Sequence, residues 1–178
     1  AMAFAFAELL NQEALALQAD GMDIIQFDEP AFNVYLDEAA TWGVQALERA
    51  AQGLTCKTAV HICYGYGIEA NIAWKKTLGE EWRQYEQVFP ALAASRIDQV
   101  SLECIHSQVP PELMALLAGK DVMVGVIDVA SDVVETPEDV ADTIGRALQL
   151  VPRHRLIACT NCPPPPPPPA APPPPPRP

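Results

Sequence analysis

The chain has 178 residues, a mass of 19.3 kDa and a formal charge of −12 from 11 basic and 23 acidic residues. An apolar fraction of 49% is that of a globular body with a hydrophobic core, not of a disordered chain. A surface this acidic repels phosphate backbones and anionic headgroups, and no apolar run is long enough to span a bilayer, so neither nucleic acid nor membrane is an expected partner.

In chain order, residues 7–19 read as a helix that feeds a first strand, 23–27, through Asp20-Gly21. Leu36, Ala40, Val44, Leu47 and Ala51 share one face of a helix. Strands follow at 58–63 and 99–103, and Leu113, Leu116 and Leu117 mark a short helix after Pro110-Pro111. A fourth strand covers 122–127. Thr136 then reads as an N-cap, with Pro137 in the first helical position and Glu138 and Asp139 where the helix dipole favours anions. That helix carries Val140, Ile144, Ala147, Leu148 and Val151, and a fifth strand spans 155–160.

Residues 163–178 hold 13 of the 19 prolines and read as a polyproline II rod without a core. The expected folded body is therefore 1–162, followed by a low-complexity tail at 163–178. The apolar start of the chain has no leading Lys or Arg, so a signal peptide is not expected. Five cysteines, an odd number spread through the body, fit a reducing compartment better than a disulfide framework. A cytoplasmic location is expected.

Strands alternating with helices predict an α/β fold with a parallel sheet. Five βα units are too few for a whole (β/α)8 barrel of about 250 residues. They suffice for a doubly wound sheet, but no Gly-rich phosphate loop follows any strand. The alternative is the C-terminal part of a barrel.

The polar residues that interrupt the apolar strands fall at strand C-terminal ends, the rim where parallel α/β folds carry their sites. They are Asp28, then His61 and Cys63, then Glu103 with Cys104 and His106 close by, then Asp128, and finally Cys159 and Cys162. His61 and Cys63 are two apart on a strand and start on the same face, a plausible bite for zinc. Glu103 and Cys162 could complete an N/S/O/S set, and thiolates favour zinc over magnesium or calcium. Cys159 is the rival for the last ligand, although its place inside an apolar strand suits a buried thiol. Asp28 and Asp128 are the remaining rim acids; either could bind a substrate ammonium or act as a general base. Glu103 is also expected to face the substrate. His154, between two arginines, reads as a solvated loop residue.

Ile25-Gln-Phe-Asp-Glu-Pro-Ala31, His61-Ile-Cys63, Glu103, Gly125-Val-Ile-Asp-Val129 with Glu135-Thr-Pro-Glu138, and Thr160-Asn-Cys162 together resemble the catalytic domain of cobalamin-independent methionine synthase, in its short, single-barrel branch. The resemblance implies a (β/α)8 TIM barrel, of which this chain covers roughly the C-terminal five βα units. It implies one Zn2+ held by His61, Cys63, Glu103 and Cys162, and methyl transfer to the thiol of homocysteine. It places Asp28 on the homocysteine amino group, and Asp128, the other rim acid, is the candidate catalytic residue. The methyl donor would be methyltetrahydrofolate or a methyl-carrier protein. Long-form relatives have a His where this chain has Ala130, a position tied to leaving-group protonation. Two other readings are a zinc alkyltransferase for another small thiol and a non-catalytic zinc or scaffold barrel.

Overall fold

The computed structural model describes residues 2–33, 35–63, 73, 76, 77, 79, 81, 83, 85–105, 109–129 and 131–162. His106, Ala130, the Tyr64-Gly65-Tyr66-Gly67 run and the proline-rich tail, all singled out in the sequence, lie outside the described residues. Five strands form one sheet: β1 (Ile24–Asp28), β2 (Lys57–His61), β3 (Gln99–Leu102), β4 (Asp121–Ile127) and β5 (Leu156–Thr160). Their spatial order is β1-β2-β3-β4-β5 and every adjacent pair is parallel. A doubly wound sheet reverses its strand order at a switch point, and this one does not. Sequential parallel order is the arrangement of a barrel arc.

The burial of each strand follows its place in the arc. β2 and β3 are in contact with protein on both faces, and four of five and all four of their residues, respectively, are buried. This is the continuous apolar pattern expected of covered parallel strands. β1 and β5 form the two edges and are only partly covered. Ala59, Val60, Val100, Val122 and Val124 are at most 1% exposed and form the innermost apolar strand positions.

The helices cover the outer face. α1 (Met2–Ala19) packs on α3 (Val44–Ala50), and the Asn11 amide donates to the carbonyls of Ala50 (2.8 Å) and Gln52 (2.7 Å), groups that the end of α3 would otherwise leave unsatisfied. The helix predicted from Leu36 to Ala51 is interrupted. α2 (Leu36–Glu38) runs into a π-helical segment, Ala39–Gly43, before α3. Gly43 meets the Phe32 ring there, and a Cβ on it would come within 2.9 Å of that ring. A π segment shifts the helical register, which a 3.6-residue periodicity does not reveal.

The structure adds α4 (Tyr85–Ala94), which the sequence pattern did not show. Pro90 inside it removes a backbone donor and obscures the helical signal. Tertiary burial overrides that local penalty. Tyr85, Val88, Phe89 and Leu92 are all buried to within 1%, and the Tyr85 and Phe89 rings stack with centroids 5.1 Å apart. The segment Pro111–Leu117 is 3-10 rather than α-helical. α5 (Pro137–Ala147) begins as expected, with a full capping box: Thr136 Oγ1 accepts from Asp139 N, and Asp139 Oδ2 accepts from Thr136 N. No helix among the described residues is long and apolar enough to cross a membrane.

Two outcomes follow. Phe89→Ala removes a fully buried ring and is expected to cost about 3–5 kcal/mol of stability, read by denaturant unfolding. The cap predicts a pH dependence. Hydrogen bonds from Thr136 hold the Asp139 carboxyl below its ordinary value, so its stabilisation is present above the unfolded-state pKa and is lost as pH falls through the depressed one. Asp139→Asn should therefore lower Tm at neutral pH, and the gap to wild type should close in acid.

Candidate metal centre

The in-register ladder brings the rim residues together. Asp28 pairs with His61, and His61 with Ser101, so three neighbouring strand ends stand in one row. Glu103 follows directly after β3, and Cys63 and Cys162 follow two residues after β2 and β5. Backbone hydrogen bonds continue past the strand ends, from Glu29 N to His61 O at 2.8 Å and from Asn161 N to Ile127 O at 2.8 Å. The peptides carrying the donors are thereby held by the sheet.

His61, Cys63, Glu103 and Cys162 each present one ligand atom, and these four atoms all lie within 4.8 Å of one another. The two thiol sulfurs are 3.7 Å apart, and His61 Nε2 lies 3.9 Å from Glu103 Oε1. His61 is 1% and Glu103 2% exposed. His61 Nε2 is buried with no hydrogen bond, a loss of about 1–3 kcal/mol unless another partner takes the lone pair. That atom points to a cation.

The electrostatics agree. Burial pushes the His61 pKa down, against the opposing pull of the Asp28 charge, and so favours the neutral imidazole that a metal requires. Ser101 Oγ lies 3.0 Å from His61 Nδ1. With the proton on Nδ1 donated to that hydroxyl, the Nε2 lone pair faces the cluster. Burial first, then the neighbouring Cys63 thiol and the carboxylates of Glu103 and Asp28, push the Cys162 thiol up to about 12. Crowding thiols and a carboxylate around one point is costly without a cation and favourable with one.

The other candidates are placed differently. Cys159 is outside the cluster. It packs behind the histidine, with Sγ 3.9 Å from Ser101 Oγ, and burial raises its thiol pKa. Cys104 is likewise outside, with burial holding its thiol at about 12. Asp28 is exposed at the end of β1, and its Oδ1 accepts from Gln26 Nε2 at 3.0 Å. Asp128 is 8% exposed and lines an open cavity of about 880 Å³ with Cys104, Ser131, Glu135 and Arg146. Its backbone N donates to Glu135 Oε1 at 2.6 Å. His154 is exposed in a 3-10 turn, as its flanking arginines suggest. The sequence reading passed over Ser101, although a polar residue two before Glu103 on an apolar strand is a visible signal of a shared face.

A family model described as "Cobalamin-independent synthase, Catalytic domain" matches residues 1–163. The chain belongs to the cobalamin-independent methionine synthase family. It is similar to a solved B12-independent methionine synthase from Shewanella sp. W3-18-1 in complex with selenomethionine, with 63% identity, a TM-score of 0.84, and coverage of 89% of this chain and 47% of that one. A methionine synthase of Saccharolobus solfataricus is 31% identical over 163 residues, 90% of this chain and 43% of the relative. A second, from Saccharolobus islandicus strain L.S.2.15, is 33% identical over 150 residues. The B12-independent methionine synthase described as putative from Listeria monocytogenes, at 18% identity and a TM-score of 0.62, shares the fold. The chain spans less than half the length of the relatives it matches. Family membership and strand order agree that its fold is an arc of a TIM barrel.

Ser101→Ala removes the hydroxyl that fixes the His61 ring. It leaves His61 Nδ1 buried without that partner, and is expected to cost about 1–3 kcal/mol of stability, read by denaturant unfolding, and to weaken the affinity of the cluster for added zinc by about 10-fold or more, read by competition against a chromogenic chelator.

Proposed function

We propose that this chain is the metal-bearing part of a zinc-dependent methyltransferase that methylates the thiol of homocysteine to give methionine. The observation that carries the proposal is the cluster of two thiols, one imidazole and one carboxylate at the barrel rim, in a chain of the methionine synthase family. Two sulfurs in the donor set favour zinc over hard cations. Bound there, zinc would hold a substrate thiol as thiolate, the nucleophilic form, at neutral pH.

His61, Cys63, Glu103 and Cys162 are the proposed ligands. Ser101 keeps His61 in the tautomer that offers Nε2. Glu103, buried beside His61, would supply the one oxygen donor of the set. Asp28 pairs in register with His61 and its field reaches both His61 and Cys162, so it suits the ammonium of an amino acid whose sulfur lies at the cluster. Asp128, at the end of β4, is proposed to serve the proton balance of the rim, held by the Glu135 contact to its backbone. The methyl donor is methyltetrahydrofolate or a methyl-carrier protein.

The span is assigned as five C-terminal βα units, residues 1–162, with 163–178 a separate proline-rich tail. Strands pairing with the two open edges, β1 and β5, complete the substrate pocket. No disulfide joins any of the five cysteines, and thiols kept reduced suit the proposed cytoplasmic location.

The test is zinc content and homocysteine binding on the same preparations. Wild type should carry about one zinc per chain, and Cys63→Ser and Cys162→Ser should lose it. Asp28→Asn should keep the zinc and bind homocysteine more weakly, by about 10-fold or more, as expected for a lost charge-assisted contact. Well-folded wild type without zinc would sink the proposal, and loss of zinc in Asp28→Asn would overturn the role given to Asp28.

A further inference from the structure

Asn161 stands immediately before Cys162 at the end of β5 and is 0% exposed. Its side chain leaves its own strand and reaches across the rim to β3. Oδ1 accepts from Cys104 N at 3.1 Å and from Ile105 N at 3.3 Å, and Nδ2 donates to Ile105 O at 2.9 Å. Only this amide orientation satisfies all three groups, since oxygen faces two N–H groups and nitrogen faces a carbonyl. Its backbone N donates to Ile127 O, just beyond an irregularity in the β4–β5 ladder between Gly125 and Ile127. One residue thus binds the ends of β3, β4 and β5.

The peptides it grips directly follow Glu103, and the peptide it belongs to directly precedes Cys162. β3 and β5 are not neighbours in the sheet; β4 lies between them. Backbone pairing alone therefore leaves the distance between Glu103 and Cys162 to be set through an intervening strand that is itself irregular. The Asn161 side chain supplies the direct link. Gly125 makes room for it, because a Cβ at that position would come within 2.3 Å of Asn161 Oδ1, 2.8 Å of Asn161 Cα and 3.0 Å of Leu102 O. Two of those three atoms are backbone, so no rotamer change relieves the clash.

We infer that Asn161, seated on Gly125, is a positioning residue that fixes the spacing of Glu103 and Cys162 and so sets the affinity and geometry of the metal centre. The inference rests on the metal reading proposed above. A buried amide with three hydrogen bonds is a stabilising feature in its own right, so the decisive readout must be one that stability does not move. Cobalt(II) supplies it: the energies and intensities of its visible bands depend on the ligand geometry of folded protein alone.

The experiment compares wild type with Asn161→Ala and Asn161→Asp, using zinc affinity by chelator competition and the visible spectrum of the cobalt(II)-loaded chains. Asn161→Ala breaks all three side-chain bonds. It should weaken zinc binding about 10- to 100-fold, the range seen when groups that orient metal ligands are removed, and should shift or weaken the cobalt bands. Asn161→Asp keeps an acceptor for the Cys104 and Ile105 N–H groups but sets a second oxygen against Ile105 O, so its zinc affinity should also fall below wild type and its cobalt bands should shift. Where Asn161→Ala does not fold, Asn161→Asp alone decides, by the same affinity loss and spectral shift. Folded variants that bind zinc like wild type and give superimposable cobalt spectra, whatever their Tm, would overturn the inference and leave the metal centre standing. Wild type that takes up neither zinc nor cobalt would overturn the metal reading and this inference with it.

Discussion

Asp28, His61 and Ser101 occupy one row across three parallel strands, and the row continues through Met123 and Ile157. This register is the constraint on which the site depends. Side chains alternate along a strand, so a slip of one residue in β2 would turn His61 away from Ser101 and move Cys63 with it. Register is fixed in turn by burial. Val60, Val100 and Val122 are almost wholly enclosed, and a slip would put a polar neighbour such as His61, Gln99, Ser101 or Asp121 into their places.

Parallel pairing in sequential order accounts for the rest of the geometry. Every C-terminal strand end lies on the same rim, so donors such as Cys63 and Cys162, 99 residues apart in sequence, meet within a few ångströms. The helices pack on the outside and supply the core that holds the strands in place, with α4 contributing the stacked Tyr85 and Phe89. At this rim the carboxylates of Asp28 and Glu103 stand beside the thiols of Cys63 and Cys162.

Much of this was legible from residue order. All five strands were expected within a few residues of where they lie, because short apolar runs rich in β-branched residues recur at βα spacing. His61, Cys63, Glu103 and Cys162 were legible because each is a polar or sulfur residue closing an apolar run. Their meeting follows from strand direction alone. The α5 capping box was visible as Thr136, Pro137 and Asp139. Ser101 and α4 were not recognised. Ser101 is small and lies inside a strand, and the pattern of α4 is broken by Pro90, whose cost is outweighed by burial of its aromatic face.

The sequence by itself determined the element types and the parallel sheet, and it narrowed the cluster to His61, Cys63, Glu103 and one of two C-terminal cysteines, since these depend on local periodicity and on which residues end each strand. Tertiary structure decided between a doubly wound sheet and a barrel arc, because strand order is set by long-range pairing and leaves no local trace. It also decided which cysteine joins the cluster. Cys159 and Cys162 are three residues apart in one segment, and only the end of the strand at Thr160 carries the second past the ladder and onto the rim. The role of Asn161 belongs wholly to the fold, since its partners at Cys104 and Ile105 are 57 and 56 residues away and are reached across an intervening strand.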